Sequence, residues 1–166
     1  MADAAAEFWR FSLAIYARPG VAPACLVLQD EHGRDVNLLL YCCWIGVSGR
    51  GRLDQAGVAA ADAAVAGWRC DVVEKFRAAR RAIKTAALAE SEGFYAKAKA
   101  VELESERLLQ RQLAARAPSA QAGLASAQRL GDALANLRVY VGAVPARELE
   151  SALNAMAAEN FALAAG

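Results

Sequence analysis

The chain has 166 residues, 19 basic against 18 acidic for a net charge of +1, and 57% of its positions are apolar. That composition excludes a disordered tail, and the charge balance excludes the global basic field that would hold nucleic acid. Alanine fills 42 positions while Val, Ile and Thr together fill 16, which favours helix over strand because alanine loses no side-chain entropy in a helix.

The first helix is expected from Asp3, as N-cap, to Ala17, ended by Pro19-Gly20. A second begins near Ala22 with Pro23 in its first turn and closes at Gly33, placed as a C′ glycine. Asp35 caps a third helix, Val36 to Val47, apolar on every side. Such a helix has no solvent face and belongs at the centre of the fold. It is too short to cross a bilayer, which takes about 20 residues, and the start of the chain is not a secretory signal. A cytoplasmic protein with no transmembrane segment is therefore expected.

Ser48 to Arg52 reads as a flexible linker, and Asp54 caps an alanine-rich helix ending near Ala66. The next helix, Gly67 to Ala89, carries a stripe of Trp68, Val72, Phe76, Ala79 and Ile83. After a break at Ser91–Gly93, a helix from Phe94 to about Arg116 places Phe94, Ala98, Val101, Leu108 and Leu109 on one face. Pro118 stops it. Two alanine-rich helices follow, about Ser119–Val141 and Ala146–Ala164. Their inner faces are marked by Leu130, Leu134, Leu137 and Val141, and by Leu149, Leu153, Met156 and Leu163. The expected architecture is all-α, one domain over 1–166, a bundle of about seven to eight helices around the apolar segment 36–47.

Chemistry-bearing groups are few. Cys25, Cys42, Cys43 and Cys70 lack C-x-x-C spacing and His32 is the only histidine, so no zinc set exists and the thiols read as reduced core residues. Asp30, Asp35 and Asn37 do not fit a calcium loop, so neither metal nor cofactor is expected. No nucleophile elbow and no glycine-rich phosphate loop is present, which argues against an enzyme. Arg77, Arg80, Arg81 and Lys84 face Glu102 and Glu106 on the following helix. They form either an interhelical ion-pair network or an anion pocket.

The stretch FWRFSLAIYARPGVAPACLVLQDEHGRDVNLLLYCCW carries an F-W-x-F-S-L start, a P-G-V turn, an L-Q-D-x-x-G-x-D-V-N-L-L-L run and a following Trp. In this it resembles an uncharacterised family of small bacterial, chiefly proteobacterial, proteins. The likeness continues through Trp68, the basic run Arg77 to Lys84, and Lys99, Glu102, Leu103, Glu106 and Arg107. It covers about 7 to 116, giving a family-like core to 117 and a separate alanine-rich helix pair over 118–166. It implies that Asp30, Asp35, Asn37, the basic run and Glu102 belong to one shared design, and it implies no activity.

Two functions follow as expectations. The first is a non-catalytic protein acting by association, with itself or another protein, through the small-residue faces of the C-terminal pair. The second is a binder of a small anionic ligand, or an enzyme, with an interhelical pocket. Its candidate residues are Trp9, Asp30, Asp35, Asn37, Trp44, Arg77, Arg80, Lys84 and Glu102, with Tyr16 and Trp68 as further aromatic walls. Lipid-surface association is weaker, because the C-terminal polar faces mix both charges.

Overall fold

Capping chemistry decides where the first helices begin. In the computed structural model, which describes residues 3–86, 88 and 91–161, Asp3 accepts from the Ala5 amide at 3.0 Å and opens α1 (Ala4–Tyr16). α2 (Val21–Asp30) has Pro23 in its first turn, where a missing N–H is harmless. Gly33 closes the turn beyond it at φ +62°, its N–H on the Gln29 carbonyl at 3.1 Å. Asp35 accepts from Leu38 at 3.0 Å and opens α3 (Val36–Val47); Asp54 accepts from Gly57 at 2.8 Å and opens α4 (Gln55–Trp68). The remaining helices are α5 (Glu74–Ala86), α6 (Glu92–Ala114), α7 (Ser126–Val141) and α8 (Arg147–Ala158), and no strand occurs among the described residues.

α3 is the centre, with every residue after Val36 buried. Around it pack Phe8, Phe11 and Ile15 of α1, Leu109 and Leu113 of α6, and Leu137 and Val141 of α7, while Leu149, Leu153 and Met156 of α8 extend the same core against α7, α2 and α1. Each such side chain contributes roughly 1.5–3 kcal/mol when fully buried. α7 lies closest. A Cβ built on Gly46 would stand 2.1 Å from the Ala133 nitrogen, so the two backbones meet where neither helix has bulk. The small-residue face of α7 at Ala133 is thus used within the chain.

Four expectations need correcting. First, α4 does not stop near Ala66; it runs through a π-helical turn, Arg69–Val73, directly into α5. The wider turn carries one residue more than an α-helical one and displaces the inward row by one position. Val73, Arg77 and Arg80 face inward in place of Val72, Phe76 and Ala79, and α5 has no fully buried residue. The expected end at Ala89 lies outside the described residues.

Second, α6 turns Phe94, Val101 and Leu108 toward solvent and buries Glu102, Ser105, Leu109, Gln110 and Leu113. The polar members have partners there: Ser105 offers its carbonyl to the Trp68 indole N–H at 2.9 Å. Third, α7 starts at Ser126 and not at Ser119. The backbone of 118–121 bonds elsewhere: Arg50 Nη1 donates to the Pro118 carbonyl at 2.6 Å, and the Gln121 N–H donates to Gly49 at 2.9 Å.

Those bonds, with Asn136, also anchor the segment 48–52 that the sequence marks as a flexible linker. Asn136 accepts from the Leu53 amide at 2.7 Å and donates to the Gly51 carbonyl at 3.0 Å. Fourth, α8 ends at Ala158, followed by Asn160 and Phe161 in the left-handed region; Leu163 and Ala164 lie outside the described residues. Among the described residues no single helix is long and apolar enough to cross a membrane, and α1 with α2 passes that test only as a pair bent by 101°.

Candidate functional site

α1, α2, α3, α5 and α6 enclose a cleft of about 200 Å³. Its floor begins with a polar residue inside an apolar row. Ser12 sits among Phe8, Phe11 and Ile15 on the buried face of α1, and its hydroxyl donates to Gln110 Oε1 at 3.0 Å. Gln110 Nε2 donates in turn to Asn37 Oδ1 at 2.9 Å, so one hydrogen-bonded chain ties α1, α6 and the start of α3. All three side chains are buried, where losing one partner leaves another unsatisfied.

One wall is ionic. Arg80 grips Glu102 with both Nε and Nη2, the latter at 3.2 Å to Oε1, and its Nη1 reaches the Tyr95 hydroxyl at 3.4 Å. The Glu102 hydrogen bond holds the Arg80 guanidinium in its charged form, raising an already high pKa. Arg77 donates through Nη1 to Gln29 Oε1 and through Nη2 to Glu106 Oε1, both at 2.8 Å, with its Nε 3.7 Å from Glu102. Burial pushes the Glu106 carboxyl above its ordinary range, opposed by Arg77. Burial raises the Tyr16 phenol too, helped by the nearby Cys25 and Glu106. Two arginines thus face two glutamates, and at the exposed rim Arg81 meets Asp30 at 3.5 Å.

The other wall is apolar and open. Trp9 and Leu13 of α1, Leu26 of α2 and Leu103 of α6 line it, and the three leucines keep 50%, 46% and 47% of their surface exposed. Large apolar side chains converging from three helices on one mouth, above a polar floor, make a different surface from leucines scattered singly.

The structure brings Trp9, Asn37, Arg77, Arg80 and Glu102 together in this cleft. Four other candidates lie elsewhere. Trp44 is on the far side of α1's row, stacked on Phe8 at 4.8 Å with the Arg50 guanidinium 4.6 Å from its ring. Asp35 caps α3, and its own amide donates to the Tyr140 hydroxyl at 2.8 Å. Asp30 stands at the rim, and Lys84 is exposed one turn beyond Arg80. Trp68 packs beneath α6 and does not line the cleft.

Sequence reasoning missed Ser12 and Gln110 as parts of the site. The signal for Ser12 was present, as a hydroxyl at a position that the period of Phe8, Phe11 and Ile15 makes internal.

The thiols divide. Cys25 and Cys42 are pushed by burial up to about 12 and Cys43 well above its ordinary value, so all three stay protonated; Cys70 is exposed, against its expected place in the core. Among the described residues no three His, Cys, Asp or Glu side chains converge as metal ligands.

A family model described as a protein of unknown function, DUF2390, matches residues 7–113, a span that contains every residue lining the cleft. No curated protein and no solved structure matches the chain.

Proposed function

Because the chain belongs to this family of unknown function, we propose its role from its own geometry: it binds a small molecule in the cleft between α1, α2, α3, α5 and α6. The observation that carries this reading is the pairing of an open apolar mouth with a fixed polar floor. Exposed Leu13, Leu26 and Leu103 gain by being covered, while Asn37, Gln110 and the Arg77 cluster offer directed hydrogen bonds below them. The volume is smaller than the ~300–1,000 Å³ of pockets that hold drug-sized ligands, so the guest is small.

A thermal-shift screen of small metabolites, run in parallel on the wild type and on Leu103→Trp, tests it. A site filled at 100 times its Kd stabilises the fold by about 2.7 kcal/mol, and the added indole should abolish that gain by occupying the mouth. A library that leaves the wild type unmoved, or that shifts both proteins equally, defeats the proposal.

Association, the other expectation, finds support on a different surface from the C-terminal pair. Phe94, Val101 and Leu108 recur every seven residues along α6 and remain exposed, Phe94 by 64%. Sedimentation of the wild type and of Val101→Glu tests that reading. A monomer at every concentration in both would end it.

A further inference from the structure

Resting on the cleft reading above, we infer that the guest is a zwitterion of α-amino-acid size with an apolar side chain, received at the Arg77–Glu106 pair. Charge balance is the first reason. Of the charges that line the cleft, Arg77 and Arg80 are matched by Glu102 and Glu106, and Arg81 at the rim by Asp30. A ligand with one net charge leaves one charge unmatched in a partly desolvated space, and burying an uncompensated charge costs several kcal/mol. A ligand carrying one charge of each sign keeps the balance.

Unused hydrogen-bonding capacity is the second. A guanidinium has five N–H groups, two on each terminal nitrogen. Arg77 engages one N–H of Nη1 with Gln29 and one of Nη2 with Glu106, which leaves a second N–H on each. Glu106 accepts from Arg77 through Oε1, and its other oxygen receives no hydrogen bond from a described residue. Donors and an acceptor thus stand unfilled side by side.

Geometry narrows the class. The contacting atoms of Arg77 and Glu106 are 2.8 Å apart, so a guest using both must hold its carboxylate and ammonium close together. An α-amino acid carries both on one carbon. Its third substituent then extends toward Leu13, Leu26, Leu103 and Trp9, the apolar wall of the same cleft. A guest with well-separated charges would have to place one of them against those leucines.

Calorimetric titration of the wild-type protein with three matched probes tests this. L-phenylalanine carries both charges, 3-phenylpropanoate only the negative one, and 2-phenylethylamine only the positive one. L-phenylalanine should bind at least tenfold more tightly than either single-charge probe. Glu106→Gln, with its fold checked by its melting curve, should lose at least tenfold in L-phenylalanine affinity while binding 3-phenylpropanoate more tightly than the wild type does. Equal or tighter binding of a single-charge probe overturns the zwitterion inference and leaves the cleft reading intact. No binding of any probe, alongside metabolites of another class whose shift Leu103→Trp abolishes, does the same. No binding together with an unmoved metabolite screen defeats both.

Discussion

Replacing Gly46 by alanine probes the crossing on which the central helix depends. The new Cβ would stand 2.1 Å from the Ala133 nitrogen, 2.3 Å from its Cα and 2.7 Å from the Asp132 carbonyl carbon. All three are backbone atoms, so no side-chain rotation relieves the clash. An ordinary contact begins at 3.4 Å, so α7 has to retreat by about 1.3 Å. A gap of ~0.5–1 Å already forfeits a quarter to a half of each dispersion well, and the retreat opens such gaps beside Leu137 and Val141 as well.

Overpacking of this kind costs typically ~1–3 kcal/mol and more where backbone meets backbone, against about 1 kcal/mol gained from the better helix propensity of alanine. Gly46→Ala should therefore lose about 2 kcal/mol or more, read from urea denaturation, or about 4–8 °C in Tm for a chain of this length. Gly131→Ala is the internal control. It lies in α7 with nothing within 4 Å of its built Cβ, and should gain about 0.5–1 kcal/mol. Equal stability of the two variants would refute the close crossing.

Arg80→Ala removes the two-pronged partner of Glu102 on the buried face of α6, leaving it only Arg77 at 3.7 Å, and should cost about 3 kcal/mol in urea unfolding; a loss under 1 kcal/mol would mean that solvent or Arg77 already screens the charge. Glu106 gives an unusual pH slope. Its folded pKa lies above the ordinary 4.5, so the native state holds the proton longer than the unfolded chain does, and its contribution to stability falls as pH rises from the ordinary value through the raised one. Glu106→Gln removes that loss, so its stability relative to the wild type should improve between pH 4 and pH 7, and a relative decline would reverse the assignment. Asn136→Ala frees the Leu53 amide and the Gly51 carbonyl; it should cost about 2 kcal/mol and open the segment to trypsin at Arg50 or Arg52 faster than in the wild type.

Much of this fold was legible in the sequence because its helix starts rest on local chemistry. Asp3, Asp35 and Asp54 each cap the helix they were expected to cap, and the all-apolar run from Val36 could only be central. The cleft was legible in part, through Trp9, Asn37, Arg77, Arg80 and Glu102. What stayed hidden depends on facts that are not local. The period of Trp68, Val72, Phe76, Ala79 and Ile83 is a sound α-helical stripe, and only the turn at Arg69–Val73 takes Phe76 and Ala79 out of the interior. On α6, hydrophobicity points to Phe94, Val101 and Leu108. The inward face is instead chosen by partners 22 to 98 residues away, Arg80 for Glu102 and Ser12 for Gln110. The loop at 118–125 likewise depends on Arg50 and Gly49, which no local propensity reports.

The turn at Arg69–Val73 works like the index mark on a dial. One residue in an α-helix is about 100° of rotation, and α4 and α5 are a single continuous shaft. Deleting one residue from that stretch would let the turn close to α-helical pitch and leave Arg77 and Arg80 facing their glutamates, whereas straightening the turn at unchanged length would dial both arginines away and bring Phe76 and Ala79 round in their place. The charged wall would become a greasy one at an unchanged backbone position. The composition of the binding surface is therefore set at a distance, by a count of residues and not by their identity. One residue added to that stretch, with the turn otherwise unchanged, would do the same and recast what the cleft accepts.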